Sequence, residues 1–386
     1  MIKKVFPVLA LCTFSSMLGV GIILPILPLY ADQLGATGIW IGVVIGGYSI
    51  SRVIFMPFIG RLSDRRGRKL FISTGLLISS LLSLAYILSD NIPQLIAIRL
   101  VHGAAAGMIS PLTRAWVGDI APRGEEGKWM GYFNAAFITG LATGPLLGGV
   151  ITDYYSMDVA FAAMGGMSLM AFLATTFFLH ESRQRKEKDQ AELSFRKMSG
   201  SGLFRGLFLY RTMFELTTGG FMAFFPIYCG VHLRLSTTLI GVLLAVSFYL
   251  LSLLQILSGR IADRFDRRRL LIMGSLINLA LLAMIPLTST FWHLLGLIII
   301  RSIGASIAIP AESALTIEEG RRFGMGSTMA ALALGASLGA GTGPILSGLF
   351  HDLSGIQSVF YFMGGVGLLG IILFIWYSRR RGSAGN

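Results

Sequence analysis

Charge is scarce in this chain and scarcest in its acids: 19 Asp and Glu stand against 32 Lys and Arg in 386 residues, with 54% of positions hydrophobic. No long polar stretch is available to cover the cores of two or three soluble domains, and so apolar a composition excludes disorder. Only two cysteines occur, Cys12 and Cys229, both in or at the edge of apolar runs, so a disulfide framework is excluded. The five histidines show no metal-ligand spacing, no glycine-rich phosphate loop ends in lysine, and Gly19-Val20-Gly21 lies inside an apolar run rather than after a strand. Catalysis, a metal and an organic cofactor are therefore not expected. The net charge of +13 is spread over short segments between apolar runs, not gathered on one amphipathic face, which argues against nucleic acid as a partner.

What the chain does have is itself, twice. The segment GRLSDRRGRK, Gly60 to Lys69, returns as GRIADRFDRRR from Gly259, 199 residues later. The same offset pairs Ile41-Gly42 with Ile240-Gly241, Gly144-Pro145 with Gly343-Pro344, Asp153 with Asp352, and Met164-Gly165-Gly166 with Met363-Gly364-Gly365. A match held over that distance marks an internal duplication. In a hydrophobic chain, duplication is the pattern of secondary transporters, whose substrate site lies between the halves near the bilayer midplane.

Apolar runs of about 20 residues or more predict twelve membrane helices. They fall at 6–30, 38–59, 70–89, 93–117, 129–152 and 159–180, then 205–231, 238–258, 270–288, 291–316, 323–350 and 356–378. The fold class is all-α: a polytopic membrane protein of two pseudo-symmetric six-helix bundles, 1–180 and 205–386, joined by a polar linker at 181–204. With the N-terminus inside, Lys3, Lys4, the Arg61 to Lys69 cluster, Arg123, Lys128, the linker, Arg260 to Arg269, Arg321, Arg322 and Arg379 to Arg381 are all cytoplasmic. Arg234 is then the one basic residue of the external loops. That asymmetry follows the positive-inside rule and puts both termini in the cytoplasm. The apolar run to Tyr30 is too long for a signal peptide and lacks a small-residue cleavage site, so it reads as an uncleaved first helix.

Gly60-Arg61-Leu62-Ser63-Asp64-Arg65-Arg66-Gly67-Arg68-Lys69 resembles the loop motif between helices 2 and 3 of the major facilitator superfamily. Three further motifs are similar to those of its twelve-helix drug:proton antiporter branch: Gly21 with Pro25 and Pro28, Arg99 with Gly103 and Gly107, and GLATGPLLGG from Gly140. The resemblance covers essentially the whole chain. It implies the two-bundle fold, transport without a cofactor on energy from a proton gradient, a bacterial-type inner membrane, a small-molecule or lipid substrate, and a monomer. It also implies a cytoplasmic latch, in which Asp64 sits against the start of helix 11 near Arg322 and Phe323, where unpaired amides favour a carboxylate. In the same pattern Arg65 belongs to the latch and Arg68 reaches Asp119. The repeat adds Asp263, Arg267 and Glu318, with a departure at Asp266, where the first copy has Gly67.

In helix 5, Gly140, Gly144 and Gly148, joined by Gly149, leave a bare stripe for a neighbouring helix, and Pro145 adds a bend. Gly335, Gly339, Gly343 and Pro344 repeat it in helix 11. Shared residues build a scaffold, whereas polar residues found in one half only are candidates for chemistry. Within the predicted spans the acids are Glu215 and Glu312, opposite Met17 and Thr113. Well within the spans, away from their ends, the bases are Arg52, Arg99, Arg114, Arg211 and Arg301, and His102 is the one histidine. Each charge at such depth costs roughly 2.5–3.5 kcal/mol on insertion scales and needs a partner or a wet cavity.

Arg211 and Glu215, four apart, share a helical face and can neutralise each other. Arg301 and Glu312, about three turns apart, share a face at different depths. Proton-driven export needs a carboxylate whose proton affinity changes with its surroundings. Glu215 and Glu312 both fit, with Arg211 or Arg301 as the modulating charge. No acid stands in helix 1, unlike many drug exporters. Arg99 is placed by the resemblance in proton coupling, and His102 reads as a hydrogen-bonded interior histidine. Phe14, Trp116, Phe133, Phe137, Phe221, Phe224, Phe225, Tyr228 and Tyr249 are candidates for a greasy cavity. The expected activity is proton-coupled export of small amphiphiles. The alternatives are transport of an organic anion or anionic lipid through an arginine-rich cavity, and a membrane sensor on the same fold.

Overall fold

The computed structural model describes residues 2–122, 124–179 and 198–379, without the side chains of residues 256 and 260–263. Arg123, the linker up to residue 197, Arg380, Arg381 and the Asp263 side chain lie outside the described residues. Among the described residues no strand occurs, and twelve long α-helices follow one another. They are α1 (Ile2–Gln33), α2 (Gly38–Arg66), α3 (Arg68–Ile87), α4 (Ile92–Ile120), α5 (Glu126–Tyr154) and α6 (Met157–Phe178). In the second half they are α7 (Gly202–Ile227), α8 (Thr237–Arg264), α9 (Arg267–Met284), α10 (Phe291–Phe323), α11 (Met325–Ser354) and α12 (Ile356–Arg379). In a bilayer the backbone must satisfy itself, and helices do so within one segment. Eleven helices are long and apolar enough to cross a membrane; α7, with Arg205, Arg211 and Glu215, is not among them.

Side chains start several helices by accepting from otherwise unpaired amides: Asn91 from Gln94, Ser156 from Val159, Ser201 from Phe204, Thr290 from His293. The GRLSDRRGRK segment is not the loop that the sequence suggested. Helix α2 continues through it to Arg66, so Arg65 and Arg66 lie in its last turn, where cations suit the helix dipole. The chain reverses on Gly67 alone, whose φ of 97° is open to glycine at little cost. In the repeat Asp266 starts α9 differently: at φ −61° its side chain accepts from the Arg269 amide at 2.8 Å. Likewise α10 runs to Phe323 and breaks at Gly324, φ 96°, so Arg322 and Phe323 close α10 and do not open helix 11.

Contacts divide the chain into two compact units. The first takes in α1, α2 beyond Gly42 and α3 to α6, together with Cys229–Tyr249. The second takes in Thr37–Gly42, α7 and the chain from Leu250 onward. In the first unit α1 packs chiefly on α5 and α3 on α6; in the second, α7 packs chiefly on α11 and α9 on α10 and α12.

The glycine stripes set the closeness of the main pairs. A Cβ at Gly144 would lie 2.5 Å from the Gly21 Cα, and one at Gly343 would lie 2.1 Å from the Leu216 carbonyl oxygen. Neither fits without backbone movement. Gly140 faces the Phe14 carbonyl, Gly148 that of Ile22, and Gly339 that of Thr212. These partners make positions of α7 equivalent to those of α1 at an offset of 198, one residue short of the repeat elsewhere, which makes Glu215 the counterpart of Met17. On the other face of α5, Gly149 meets the Thr237 carbonyl and the Pro145 carbonyl meets Gly241; in α11 the Pro344 carbonyl meets Gly42.

Candidate functional site

Three charged side chains within the second unit, Arg211, Glu215 and Glu312, form one cluster. Arg211 and Glu215 lie one turn apart on α7 and pair at 3.0 Å through Nη2 and Oε1. Arg211 also donates from Nη1 to Glu312 Oε2 on α10 at 2.7 Å. One guanidinium thus joins two carboxylates from two helices, a use to which its planar fork is suited. The side chains are 30%, 21% and 7% exposed for Arg211, Glu215 and Glu312, so Glu312 is the buried arm and Glu215 the more open one. The backbone of α11 comes close here because position 339 is glycine: a Cβ there would sit 3.1 Å from the Glu215 Cβ. Next to Arg211, Tyr210 bonds to Ser275 of α9 at 2.8 Å.

Arg301 does not share in the cluster, contrary to the expectation that it modulates Glu312. Its guanidinium lies over the Phe221 ring at 4.1 Å, and its Nε is buried without a hydrogen-bond partner. By the repeat it stands where the first half has His102.

In the first unit the corresponding positions are satisfied locally. Arg99 donates through Nε to the Val44 carbonyl at 3.1 Å and through Nη2 to that of Ile45 at 3.4 Å, and lies over Tyr48 at 4.6 Å. His102 meets the Tyr86 hydroxyl at 3.2 Å and packs edge-on to Tyr48. Thr113 accepts from Thr13 at 3.0 Å. Arg114 donates to Asn134 at 3.4 Å and lies over Phe133.

Of the proposed latch, Arg68 donates to Asp119 and pairs with Asp64 at 3.6 Å. Asp64 is 61% exposed, Arg65 is exposed, and Gly60 has open space beside it. In the second copy Arg267 and Glu318 line one shallow pocket with Phe265, Asp266, Arg268 and Leu315. Most of the aromatics named for a greasy cavity are packing residues: Trp116, Phe133, Phe221, Phe224, Phe225 and Tyr228 are fully buried, and only Tyr249 is well exposed, bonded to Thr143.

Two features escaped the sequence reading. Glu319 is wholly buried, accepting from Ser201 at 2.6 Å and from Arg322 at 3.4 Å, three residues past the expected end of the span at 316. The second is a pair of helix caps. Within the first unit Asp153 accepts from the Thr237 and Thr238 amides at 3.1 and 2.7 Å. Within the second, Asp352 accepts from those of Gly38 and Ile39 at 2.5 and 2.9 Å. The pairing of Asp153 with Asp352 in the repeat was the available signal.

Among the described residues, twelve long helices, eleven of them apolar enough to cross a membrane, define the class: a multi-pass membrane transporter fold. The chain belongs to the Major Facilitator Superfamily, whose family model matches residues 9–214 and 207–385. It is similar to an uncharacterized transporter of the same type from Methanocaldococcus jannaschii, 26% identical over 98% of this chain and 99% of that one. It is likewise similar to the quinolone resistance protein NorA of Staphylococcus aureus, 24% identical over 98% of this chain and 97% of that one. Among solved structures it resembles a bacterial homologue of the human lysosomal transporter Spinster in an inward-facing, occupied conformation, with a TM-score of 0.84 at 15% identity, covering 98% and 97% of the two chains. The nucleoside transporter NupG matches with a TM-score of 0.83 at 14% identity over 96% and 99%. The chain is thus a transporter and not an enzyme.

Proposed function

We propose that this transporter exports small amphiphilic compounds in exchange for protons, by alternating access of its two bundles. The observation that carries the reading is the Glu215–Arg211–Glu312 cluster, three charges in one bundle at positions that hold no charge in the other. With both acids ionised the cluster carries one net negative charge, and one proton neutralises it. A membrane site of that kind favours loading a proton before it closes and releasing it when Arg211 moves toward the loaded acid. Glu215, more open and held by a single pair, is the carrier; Glu312, bonded and nearly closed off, holds Arg211 in place. The similarity to NorA over almost the full chain supports drug-type export.

The same reading has both termini in the cytoplasm, which the basic segments support, and has the transporter work as a monomer without a cofactor in a bacterial-type inner membrane. The Asp64, Arg65, Gly67, Arg68 and Asp119 set forms a conformational latch, with Asp263, Arg267 and Glu318 as its repeat. The test is flux into proteoliposomes with an acidic lumen, using amphiphilic dyes and a quinolone, with protein-free vesicles as the baseline. Exchange for protons drives uptake above that baseline, and nigericin abolishes it. Uptake indifferent to the pH gradient would reject proton exchange and leave uniport. Cysteines at Asp90, Asp158 and Ser289 should react with an impermeant thiol reagent from outside, and ones at Arg66 and Gln190 should not; the reverse pattern overturns the orientation.

A further inference from the structure

Arg301 differs from the other arginines buried in the bundles. Arg99 has two carbonyls, Arg211 two carboxylates and Arg68 a carboxylate of α4. Among the described residues Arg301 has an aromatic face and no acceptor: its guanidinium rests on Phe221, and its Nε is shut away from solvent with nothing there to donate to. A cation over an aromatic ring is attracted to it, but the ring face does not replace the in-plane acceptors that a guanidinium fork needs. A buried donor left unmade is a standing cost. Arg301 is also partly exposed as a residue, so the side chain reaches accessible space although its Nε does not.

We propose that Arg301 anchors the anionic group of the transported compound, and that the site takes an amphiphile with one carboxylate on an aromatic or apolar body. The inference rests on reading this bundle as transport machinery. A carboxylate offers two oxygens in one plane at the spacing of the guanidinium fork, which supplies the acceptors that Arg301 lacks. Phe221 is itself fully buried and stacks on Phe225 with ring centroids 4.6 Å apart, so it supports the guanidinium from beneath and leaves the ligand to the fork. One anionic group is the fitting number, because Arg211, the other arginine well within the spans of this unit, is already committed to Glu215 and Glu312. The anchor is also set apart from those acids: Phe221 lies six residues beyond Glu215 on α7, about 9 Å along the axis. On the proposed orientation α7 starts in the cytoplasm, so the anchor lies on the outer side of those acids.

The test is equilibrium binding to the purified protein in nanodiscs, with no gradient imposed, using 2-naphthoate, its neutral amide and 2-naphthylmethylammonium. The unmodified protein should bind the carboxylate about tenfold or more tightly than the amide, the scale of one charge-assisted pair. Arg301→Gln should erase that preference while the amide binds as before, and Arg301→Lys should keep part of it, since lysine retains the charge without the fork. Phe221→Leu, which removes the ring beneath the guanidinium, should narrow the carboxylate's advantage over the amide. No binding of 2-naphthoate, equal binding of carboxylate and amide, or a preference that survives Arg301→Gln would each overturn the anchor. Because no gradient is present, a failure of proton exchange in vesicles leaves these ratios untouched, so the two ideas fail separately.

Discussion

The two halves of this transporter share their skeleton and divide their chemistry. Gly144 on Gly21 in the first unit is answered by Gly343 on Leu216 in the second, and Asp153 capping α8 by Asp352 capping α2. At Met17, His102 and Thr113 the first unit is neutral and bonded within itself. The second has Glu215, Arg301 and Glu312 at the matching positions. Duplication supplies a scaffold twice at no cost in design, whereas a buried charge is expensive wherever it stands and is kept where it is used. The lesson is that an arginine in a membrane bundle says little until its partners are known: Arg99 on carbonyls braces α4 against α2, and Arg211 on two acids forms a titratable cluster.

The largest break in that comparison comes from Arg211→Met, which leaves two buried carboxylates without their cation. Removing one partner of a buried ion pair costs about 3–5 kcal/mol. The loss in thermal stability, followed by size-exclusion after heating, should be large at pH 8 and smaller at pH 5, where protonation can neutralise the stranded acids. Arg99→Met, which strands only carbonyls, should show no such pH dependence. Equal losses at both pH values would mean that the two acids are not ionised together.

Glu215→Gln is the sharper functional probe. It fixes the carrier in a neutral form, so pH-driven accumulation should fall by at least tenfold while exchange down the compound's own gradient survives. Thr113→Val in the first unit should change either flux less than twofold. If Glu312→Gln gives the loss and Glu215→Gln does not, the assignments of carrier and brace are reversed.

Overpacking the paired glycines tests the shared skeleton. Gly144→Ala and Gly343→Ala each place a methyl group against backbone, an insertion that costs typically about 1–3 kcal/mol. Both should lower the midpoint of thermal unfolding by similar amounts, and tolerance of one alone would show that the halves are not packed alike. The smallest effects belong to the caps. Asp153→Ala and Asp352→Ala each remove a carboxylate from two helix-starting amides, worth about 0.5–2 kcal/mol. A difference between them well beyond that range would point to a task held by one cap only.

Much of this was legible in the residues. Apolar runs gave twelve helices because a bilayer leaves a chain no other way to satisfy its backbone, and the 199-residue offset gave the doubling because duplicated skeletons keep their glycines in register. The ends were less legible. Arg61 to Arg66 read as loop because they are polar, yet they are the last turns of α2, since polarity marks where the bilayer ends and not where helical hydrogen bonding stops. Glu318 and Glu319 lay beyond the expected end of helix 10 for the same reason.

Sequence by itself determined the class of protein, its two-fold repetition and the short roster of charges that a membrane would not keep idle. Spacing within one helix also found the Arg211 and Glu215 pair, because residues four apart meet on any α-helix. Only the tertiary structure decided that Arg211 reaches across to Glu312, that Arg301 is left to an aromatic ring, and that Asp153 and Asp352 close on helix starts 84 and 314 residues away. Those partners lie on different helices, and which faces meet is fixed by how closely glycine lets the backbones approach.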